Sequence, residues 1–364
     1  MKIAFCKFAG LANGGTEKYL QSICMLYKKN GHDADFYYTN AAKILNSSWI
    51  HPDNDPDRIL LLEKQRIDLI KVSVGSRGES SNGATQWIDT DFFNLFSEEN
   101  YEYLVTAGDG REEFPYNSLN NIKIIHTVHG FHAYNKSNII KSVLLCKWQA
   151  NKWIANGGDP SRMVIIPPLV PVPETWTNTF RQKYGIPVDA FVYGLHQGNG
   201  VGSLVSLQAF ASLNNNNCYF ALLGGSSIHR QYCQDNNIRN VIFLDATSSS
   251  NEIHDFLDGL DVYAHCRVDG EVASACIIEA MFHSKPIISF IGDGTNLGHL
   301  EQVENCGKMT YSVSEYSEEM IRLQDKNYYK EMSILVENKY KDAYDYKLVE
   351  SELLNLIKGS KYEY

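Results

Sequence analysis

The sequence predicts an α/β protein built from two successive Rossmann-like halves. Three observations carry this prediction. The chain has 364 residues, which is too long for one ordinary hydrophobic core and long enough for two domains. Strand-like and helix-like segments alternate in both halves, which favours parallel sheets covered by helices on both faces. A proline-rich segment, 167–178, separates the halves with four prolines in its first seven residues.

The first half opens with a strand, a glycine turn, an amphipathic helix and a second strand. The helix is predicted from the spacing of Tyr19, Ile23, Leu26 and Tyr27, and Gly31 supplies its end. Together these elements form one βαβ unit. Further strands of this half are predicted in the segments IDLIKVSV, YEYLVTAG and NIKIIHTVHG.

The same order of elements restarts after the proline-rich segment. Strands are predicted at AFVYGLHQG, CYFALLGG, VIFLD, DVYAHCR and KPIISFIG, with helical segments between them. We therefore expect domains at residues 1–172 and 173–341. A helix at about 342–358 is expected to pack back onto the first domain.

Composition and charge exclude several classes of protein. Lys and Arg total 33 against 43 Asp and Glu, and the net charge of −10 argues against nucleic-acid binding and against attraction to an anionic membrane. Eight cysteines without a C-x-x-C pair indicate reduced thiols in a cytoplasmic protein. No apolar run is long enough to predict a signal peptide or a membrane span.

The first glycine turn, GLANGGTE, is a candidate anion site. It joins a strand to a helix start, where free backbone N–H groups and the helix dipole attract a phosphate, and Gly14 and Gly15 would allow close approach. The G-x-G-x-x-G spacing is absent, which disfavours a dinucleotide cofactor. An ordinary tight βα turn is the alternative.

Three histidines follow a predicted strand in the segment HTVHGFH. His126, His129 and His132 could be imagined as metal ligands, but neighbouring strand residues point to opposite faces and no carboxylate is close in sequence. We expect instead that His129 lies at the carboxyl edge of the sheet, where α/β proteins bind ligands. The alternative is that all three are polar loop residues.

Two glutamates with seven residues between them, Glu271 and Glu279, are the most informative feature. A helix starting near Ser274 and Ala275 would offer its first amides to an anion, and the carboxylates would accept hydrogen bonds from hydroxyls on either side. The strand end LLGGSS, with Gly224, suits further backbone contacts. A diphosphate between two polyols, as in a nucleotide sugar, fits this pattern. The alternative is one surface glutamate and one paired glutamate on a half-buried helix.

These segments resemble the family-4 retaining glycosyltransferases, which have the GT-B architecture of two Rossmann-like domains facing a central cleft. The resemblance covers nearly the whole chain, in order, through NGGTE, HTVHG, VIIPP, FVYG, ALLGG and DVYAHCRVDGEVASACIIEAMFHSKPIIS. The last segment is the most specific, because Glu271 and Glu279 match the glutamate, seven residues, glutamate motif of the family.

The resemblance implies a role for each matching position. Glu279 would hold the ribose hydroxyls, and Glu271 with the backbone after it would hold the donor sugar. Gly14 and Gly15 would contact the diphosphate, with His129 beside the sugar or acceptor. The family retains configuration by front-face attack without a carboxylate nucleophile, and GT-B enzymes generally need no metal.

The chain departs from the family pattern at two places, and the first departure, the absence of two cations, predicts slow catalysis. The family usually carries an Arg and a Lys that grip the diphosphate, and His196 and Val201 stand at these positions. The glycines usual after the first glutamate are replaced by Val272, Ala273 and Ser274.

The resulting expectation is a cytoplasmic, metal-independent glycosyltransferase. It would move a sugar from a nucleoside diphosphate to a carbohydrate or glycoconjugate acceptor with retention, without a cofactor and without nucleic acid as a partner. Two alternatives stay open: a weak or inactive nucleotide-sugar or glycan-binding protein, and a GT-B sugar epimerase. The sugar, the base, the acceptor and the oligomeric state are left open.

Overall fold

The computed structural model describes residues 1–12, 14–39, 54–196 and 203–358. The chain divides into two compact units. Unit 1 comprises Met1–Leu169 with Lys347–Tyr364, and unit 2 comprises Val170–Tyr346. The sequence placed the first boundary three residues later, between residues 172 and 173.

Unit 1 contains a parallel sheet and a separate hairpin. Its strands are β1 Lys2–Lys7, β2 Asp33–Thr39, β3 Asp68–Val72, β4 Ser76–Glu79, β5 Thr85–Ile88, β6 Tyr103–Gly108, β7 Lys123–Val128, β8 Ile139–Leu144 and β9 Met163–Ile165. The seven-stranded sheet has the order β3-β2-β1-β6-β7-β8-β9, and its neighbouring strands pair in parallel. Strands β4 and β5 form the antiparallel hairpin.

The helices of unit 1 follow the predicted alternation. They are α1 Gly15–Lys29, α2 Pro56–Lys64, α3 Phe92–Leu95, α4 Lys147–Ala155 and a C-terminal helix Tyr346–Asn355, with 3₁₀ turns at Glu98–Asn100 and Pro160–Arg162. Helix α1 buries Tyr19, Ile23, Leu26 and Tyr27 as its spacing predicts. Gly31 follows with a φ of 82°, a left-handed conformation that favours glycine after a helix.

The C-terminal helix packs against the first βαβ unit. The Tyr27 Oη donates to the Leu353 carbonyl at 2.8 Å, and the Tyr103 Oη donates to the Ile357 carbonyl at 3.4 Å. The helix begins later than the expected residue 342. A π-helical segment, Tyr340–Tyr344, precedes it, and the backbone at Asp345 turns extended with a ψ of 126°.

Unit 2 contains a second parallel sheet. Its strands are β10 Phe191–His196, β11 Cys218–Leu223, β12 Val241–Leu244, β13 Val262–His265, β14 Gly270–Glu271, β15 Ile287–Phe290, β16 Asn296–Leu297 and β17 Gly307–Thr310. The six-stranded sheet has the order β12-β11-β10-β13-β15-β17, and β14 pairs with β16 beside it. Strand β13 is buried along its whole length, as expected for a central strand covered on both faces.

Helices connect the strands of unit 2 in the same manner. They are α5 Phe180–Lys183, α6 Val205–Ser212, α7 Ser227–Asp235, α8 Ser250–Gly259, α9 Ala275–Phe282, α10 His299–Val303, α11 Val313–Arg322 and α12 Lys326–Lys339. In both sheets the first strand of the unit lies at the centre, and the chain runs outward to one edge before it crosses to the other, which is the Rossmann strand order. The predicted α/β class with two Rossmann-like units is confirmed.

Among the described residues, no helix combines the length and the apolar character needed to cross a membrane.

Candidate functional site

Glu271 is held by a short parallel pairing at the carboxyl edge of the unit 2 sheet. Strand β14 pairs Gly270 with Asn296 and Glu271 with Leu297 of strand β16. Gly270 has a φ of 64°, and a Cβ at this position would lie 2.0 Å from the Asn296 carbonyl oxygen. The close approach of these two backbones therefore requires glycine before Glu271.

Gly270→Ala is expected to destabilise unit 2 by about 3 kcal/mol or more, because left-handed strain adds to a clash with backbone. Gly294→Ala is the matched control, since Gly294 has a φ of 85° but open space around its Cβ. The control should lose only about 1 to 2 kcal/mol, from strain alone. Denaturant unfolding of both variants measures the difference, and equal losses would contradict the role given to the close approach.

The Glu271 carboxylate lies among cationic and polar groups. Its Oε1 is 3.5 Å from Nη1 of Arg267 and 3.6 Å from Nε2 of His265, and Arg267 also holds Asp269 at 2.6 Å. Burial opposes ionisation of Glu271, but His265, Ser274 and Arg267 outweigh it and lower its pKa to about 2. Glu271 is therefore an anion at neutral pH.

A histidine from a distant segment fixes the backbone of Glu271. The Glu271 N–H donates to Nδ1 of His299 at 3.2 Å, and Nε2 of His299 lies 3.2 Å from the Phe290 carbonyl, to which it donates. This arrangement requires a neutral imidazole, and burial lowers the pKa of His299 accordingly. His299 orients the site without contributing a charge.

Helix α9 begins directly after this segment. Ser274 is fully buried and caps the helix, its Oγ accepting from the Ile277 N–H at 3.4 Å. The Ser274 N–H donates to Oε1 of Gln302 at 2.8 Å, and Nε2 of Gln302 donates back to the Ser274 carbonyl at 3.0 Å. The Ser274 amide is thus already engaged inside the protein, whereas Ala275 is exposed at the start of the helix.

Glu279 lies one helical turn further and contacts His196. Nε2 of His196 and Oε2 of Glu279 are 2.6 Å apart, and His196 ends strand β10 in a buried position. Burial opposes protonation of this imidazole, but Cys276 and Glu279 outweigh it and raise the pKa of His196 to about 10. His196 stands where the family usually carries a diphosphate-binding Arg, and the structure pairs it with the second glutamate.

The other residues of unit 2 considered for the donor site differ in how much of each is exposed or already hydrogen-bonded. Gly224 follows strand β11 with a φ of 83°, and its N–H donates to the Leu244 carbonyl at 3.0 Å. Arg230, a nearby basic residue on helix α7, is half exposed and lies over the Phe243 ring, 4.6 Å from its centroid. Val201 lies outside the described residues.

In unit 1, an acidic side chain accompanies the predicted anion site. Gly14 is the N-cap of helix α1, and a Cβ there would lie 2.1 Å from Oε2 of Glu17, whereas the Cβ position of Gly15 is open. Glu17 pairs with Lys7 at 3.1 Å, and both side chains are largely buried. An anion bound at this turn would therefore lie near both the Lys7 ammonium group and the Glu17 carboxylate.

His129 follows strand β7 at the carboxyl edge of the unit 1 sheet, as predicted. Its N–H donates to the Gly108 carbonyl at 2.7 Å, and its ring packs edge-on against Tyr19 at 5.2 Å between centroids. Its Nε2 is buried and has no hydrogen-bond partner within the described part of the chain. Burial, Lys7 and His126 lower the pKa of His129 to about 3, so the imidazole is neutral and has a hydrogen-bonding position to offer.

We expect His129 to make the protein sensitive to acid. In the unfolded chain the imidazole takes up a proton below pH about 6.5, whereas the folded state resists it down to about 3, so stability falls with pH in this window. The free energy of unfolding falls by up to about 1.4 kcal/mol for each pH unit of acidification in this window. His129→Phe should reduce the slope of the unfolding free energy against pH between pH 6.5 and 5, and the exposed neighbour His132, changed to Phe, is the control. An unchanged slope in His129→Phe would contradict this.

Sequence reasoning missed one residue close to Glu271 in the chain, His265 at the end of strand β13, and two residues from a distant segment. His265, His299 and Gln302 surround the Glu271 segment, and the latter two lie 28 residues beyond their partners. No local pattern marks them. Cys276 was detectable, because it precedes Glu279 by three residues and so shares a helix face with it.

Two Rossmann-like units in succession are the architecture of the GT-B glycosyltransferases, and comparison with solved structures confirms this fold. HepE of Anabaena, solved with UDP and glucose, is 15% identical over 99% of this chain and 100% of its own, with a TM-score of 0.69. A glycosyltransferase from Rickettsia africae is 14% identical over 99% of each chain, with a TM-score of 0.71. Sucrose-phosphate synthase from Thermosynechococcus elongatus is 12% identical over 98% of each chain, also with a TM-score of 0.71.

Neither known protein families nor curated protein sequences give a match to this chain. The similarity is therefore one of fold, at sequence identities too low to carry over residue roles or substrates.

Proposed function

We propose that this protein is a retaining glycosyltransferase that moves a sugar from a nucleoside diphosphate to a carbohydrate or glycoconjugate acceptor without a metal cofactor. One observation carries the proposal. Two glutamates flank the start of helix α9, one ionised beside Arg267 and one contacting His196, at the carboxyl edge of a Rossmann-like sheet. Ligands of open α/β sheets bind at this edge.

The donor would bind to unit 2 through both carboxylates. Glu279 is assigned to the ribose hydroxyls, since a carboxylate accepts two hydrogen bonds from neighbouring hydroxyls. Glu271 is assigned to the sugar, near the carbon where positive charge develops. The ionised state of Glu271 supports this role, because a fixed negative charge stabilises a developing cation.

His129 of unit 1 would contact the sugar or the acceptor. Its buried Nε2 has no partner in the described residues, and burying such an atom is costly unless a ligand supplies the missing hydrogen bond. A neutral imidazole suits a sugar hydroxyl better than it suits a phosphate, which would favour a cation.

The test is product analysis. HepE was solved with UDP and glucose, so UDP-glucose is the first donor to mix with candidate acceptors, followed by other UDP, GDP and ADP sugars. We expect release of the nucleoside diphosphate together with a new glycosidic bond whose anomeric configuration, read by NMR, matches the donor. An inverted product would overturn the retaining mechanism, and diphosphate release without a new glycosidic bond would overturn transfer.

Glu279→Ala is expected to raise the donor KM by about 10-fold or more with a smaller change in kcat, because a ribose contact is similar in the ground and transition states. Steady-state kinetics with varied donor checks this. Glu252→Ala, an exposed glutamate on helix α8, is the control. A collapse of kcat with unchanged donor affinity would contradict the ribose role.

A specific observation favours a second candidate, a nucleotide-sugar-binding protein with little turnover. The cations that the structure describes near the two glutamates are already paired, Arg267 with Asp269 and Glu271, and His196 with Glu279. Paired cations stabilise a leaving diphosphate less than free ones. Calorimetry that detects donor binding without any product would favour this candidate.

A further inference from the structure

Three side chains of different chemistry converge between strand β10 and helix α9. Nε2 or Nδ1 of His196, Sγ of Cys276 and a carboxylate oxygen of Glu279 all lie within 4.8 Å of one another. We name these three residues the HCE cluster. His196 is buried, and the other two are partly exposed, so that solvent reaches one side of the cluster.

The fold places these ligand atoms independently of any metal. His196 is the last residue of a central strand, and its carbonyl accepts from the Tyr263 Oη at 3.0 Å. Cys276 and Glu279 are three residues apart on α9, which puts them on one face of the helix. The cluster is thus fixed by two rigid elements, as metal sites require.

We propose that the HCE cluster is a binding site for Zn²⁺. Imidazole nitrogen, thiolate sulfur and carboxylate oxygen are the ligands that zinc takes in proteins, and three of them leave a fourth tetrahedral position open for water or another ligand. The Cys276 thiol and the protonated His196 imidazole each give up a proton to solvent as the sulfur and the ring nitrogen become ligands, so zinc binding releases protons. Mg²⁺ prefers oxygen ligands in an octahedral arrangement and is a poor match.

The cluster needs only a small adjustment to accept the ion. Zinc–ligand bonds of about 2.0 to 2.3 Å place neighbouring ligand atoms about 3.3 to 3.8 Å apart in a tetrahedron. The His196–Glu279 pair, now at 2.6 Å, would open by less than 1.5 Å, which rotation of the partly exposed Glu279 side chain provides.

One consequence rests on the proposed function. Glu279 is the residue assigned to the ribose, and a carboxylate that binds Zn²⁺ is no longer available to the hydroxyls. Zn²⁺ and the nucleotide would therefore exclude each other, and the metal would act as an inhibitor of donor binding.

The experiment compares zinc binding by the chelator-stripped wild-type protein, Cys276→Ser and the control Cys233→Ser, whose cysteine is buried in helix α7 and is not a member of the cluster. We expect wild type and control to bind one Zn²⁺ more tightly than Cys276→Ser by about 10-fold or more, since serine removes the soft ligand. Equal zinc affinity in Cys276→Ser, with folding verified by circular dichroism, would overturn the proposal.

A second measurement needs no variant. Zn²⁺ should slow alkylation of Cys276 by iodoacetamide in the native wild-type protein, read by peptide mass spectrometry, whereas Mg²⁺ should not. Unchanged alkylation of Cys276 in the presence of Zn²⁺ would overturn the proposal even where Cys276→Ser fails to fold.

Titration of UDP separates the metal site from the proposed function. Loss of UDP binding in the presence of Zn²⁺ supports both the zinc site and the assignment of Glu279 to the ribose. Zinc binding to the HCE cluster in a protein that never binds UDP or another nucleoside diphosphate would support the metal site and overturn the assignment of Glu279 to ribose. Simultaneous binding without competition would overturn the inhibitory consequence.

Discussion

Glu271→Gln is expected to lower kcat about 100-fold or more while changing donor affinity only a few-fold, an effect of the size seen when one electrostatic group is removed from an active site. The substitution keeps the shape of the side chain and removes its charge. In the folded protein this charge is secured by His265, Ser274 and Arg267, which lower the pKa of Glu271 to about 2. Glutamine would lose the stabilisation of positive charge on the reacting carbon.

Asp269→Asn is the matched control for this prediction. Both carboxylates contact Arg267, at 2.6 Å for Asp269 and 3.5 Å for Glu271, but Asp269 is more exposed, with 43% of its side chain accessible against 14%. Steady-state kinetics at saturating donor, together with calorimetric donor binding, separate kcat from affinity. If the two variants lose turnover equally, the effect runs through Arg267, and Glu271 has no separate role in the reaction.

The fold was predictable because its signals are local. The first βαβ unit followed from the spacing of four apolar residues and one glycine, and helix α1 buries those four residues. The restart of the same pattern after the proline-rich segment predicted the second unit. These inferences need only the periods of helices and strands and the properties of glycine and proline.

The site was less predictable because its contacts join distant parts of the chain. The pairing of β14 with β16 involves only two residues on each strand, too few for a sequence period. His299 reaches Glu271 across 28 residues, and His196 reaches Glu279 across 83. The chemistry of each residue was visible, but its partner was decided by the fold.

Ser274 illustrates the same limit within one motif. The sequence correctly placed the start of a helix there, and the helix start suggested free amides for an anion. Gln302, from the helix after β16, occupies the Ser274 amide at 2.8 Å. A local rule can predict that an N–H group is unpaired by its own helix, but not that a distant side chain satisfies it.

His196→Arg combined with Val201→Lys is expected to raise the kcat of sugar transfer by about 10- to 100-fold. A diphosphate leaving group gains negative charge in the transition state, and a well-placed donor to such a group changes the rate by about 100-fold. His196 now directs its Nε2 to Glu279 at 2.6 Å, so its charge is already balanced by that carboxylate. An arginine has five donors on a longer side chain, so it can keep one bond to Glu279 and still present others to a phosphate.

The two single variants serve as controls, because His196→Arg alone supplies one cation and Val201→Lys alone supplies the other. Turnover and UDP affinity measured on all four proteins should show the largest gain in the double variant. A double variant that folds normally but leaves both quantities unchanged would contradict the idea that missing cations limit the rate. Arg267 lies beside Glu271 and forms ion pairs with two carboxylates, so it would then be the next cation to test. We expect Arg267→Gln to lower turnover, by a larger factor than the factor by which either single variant raises it.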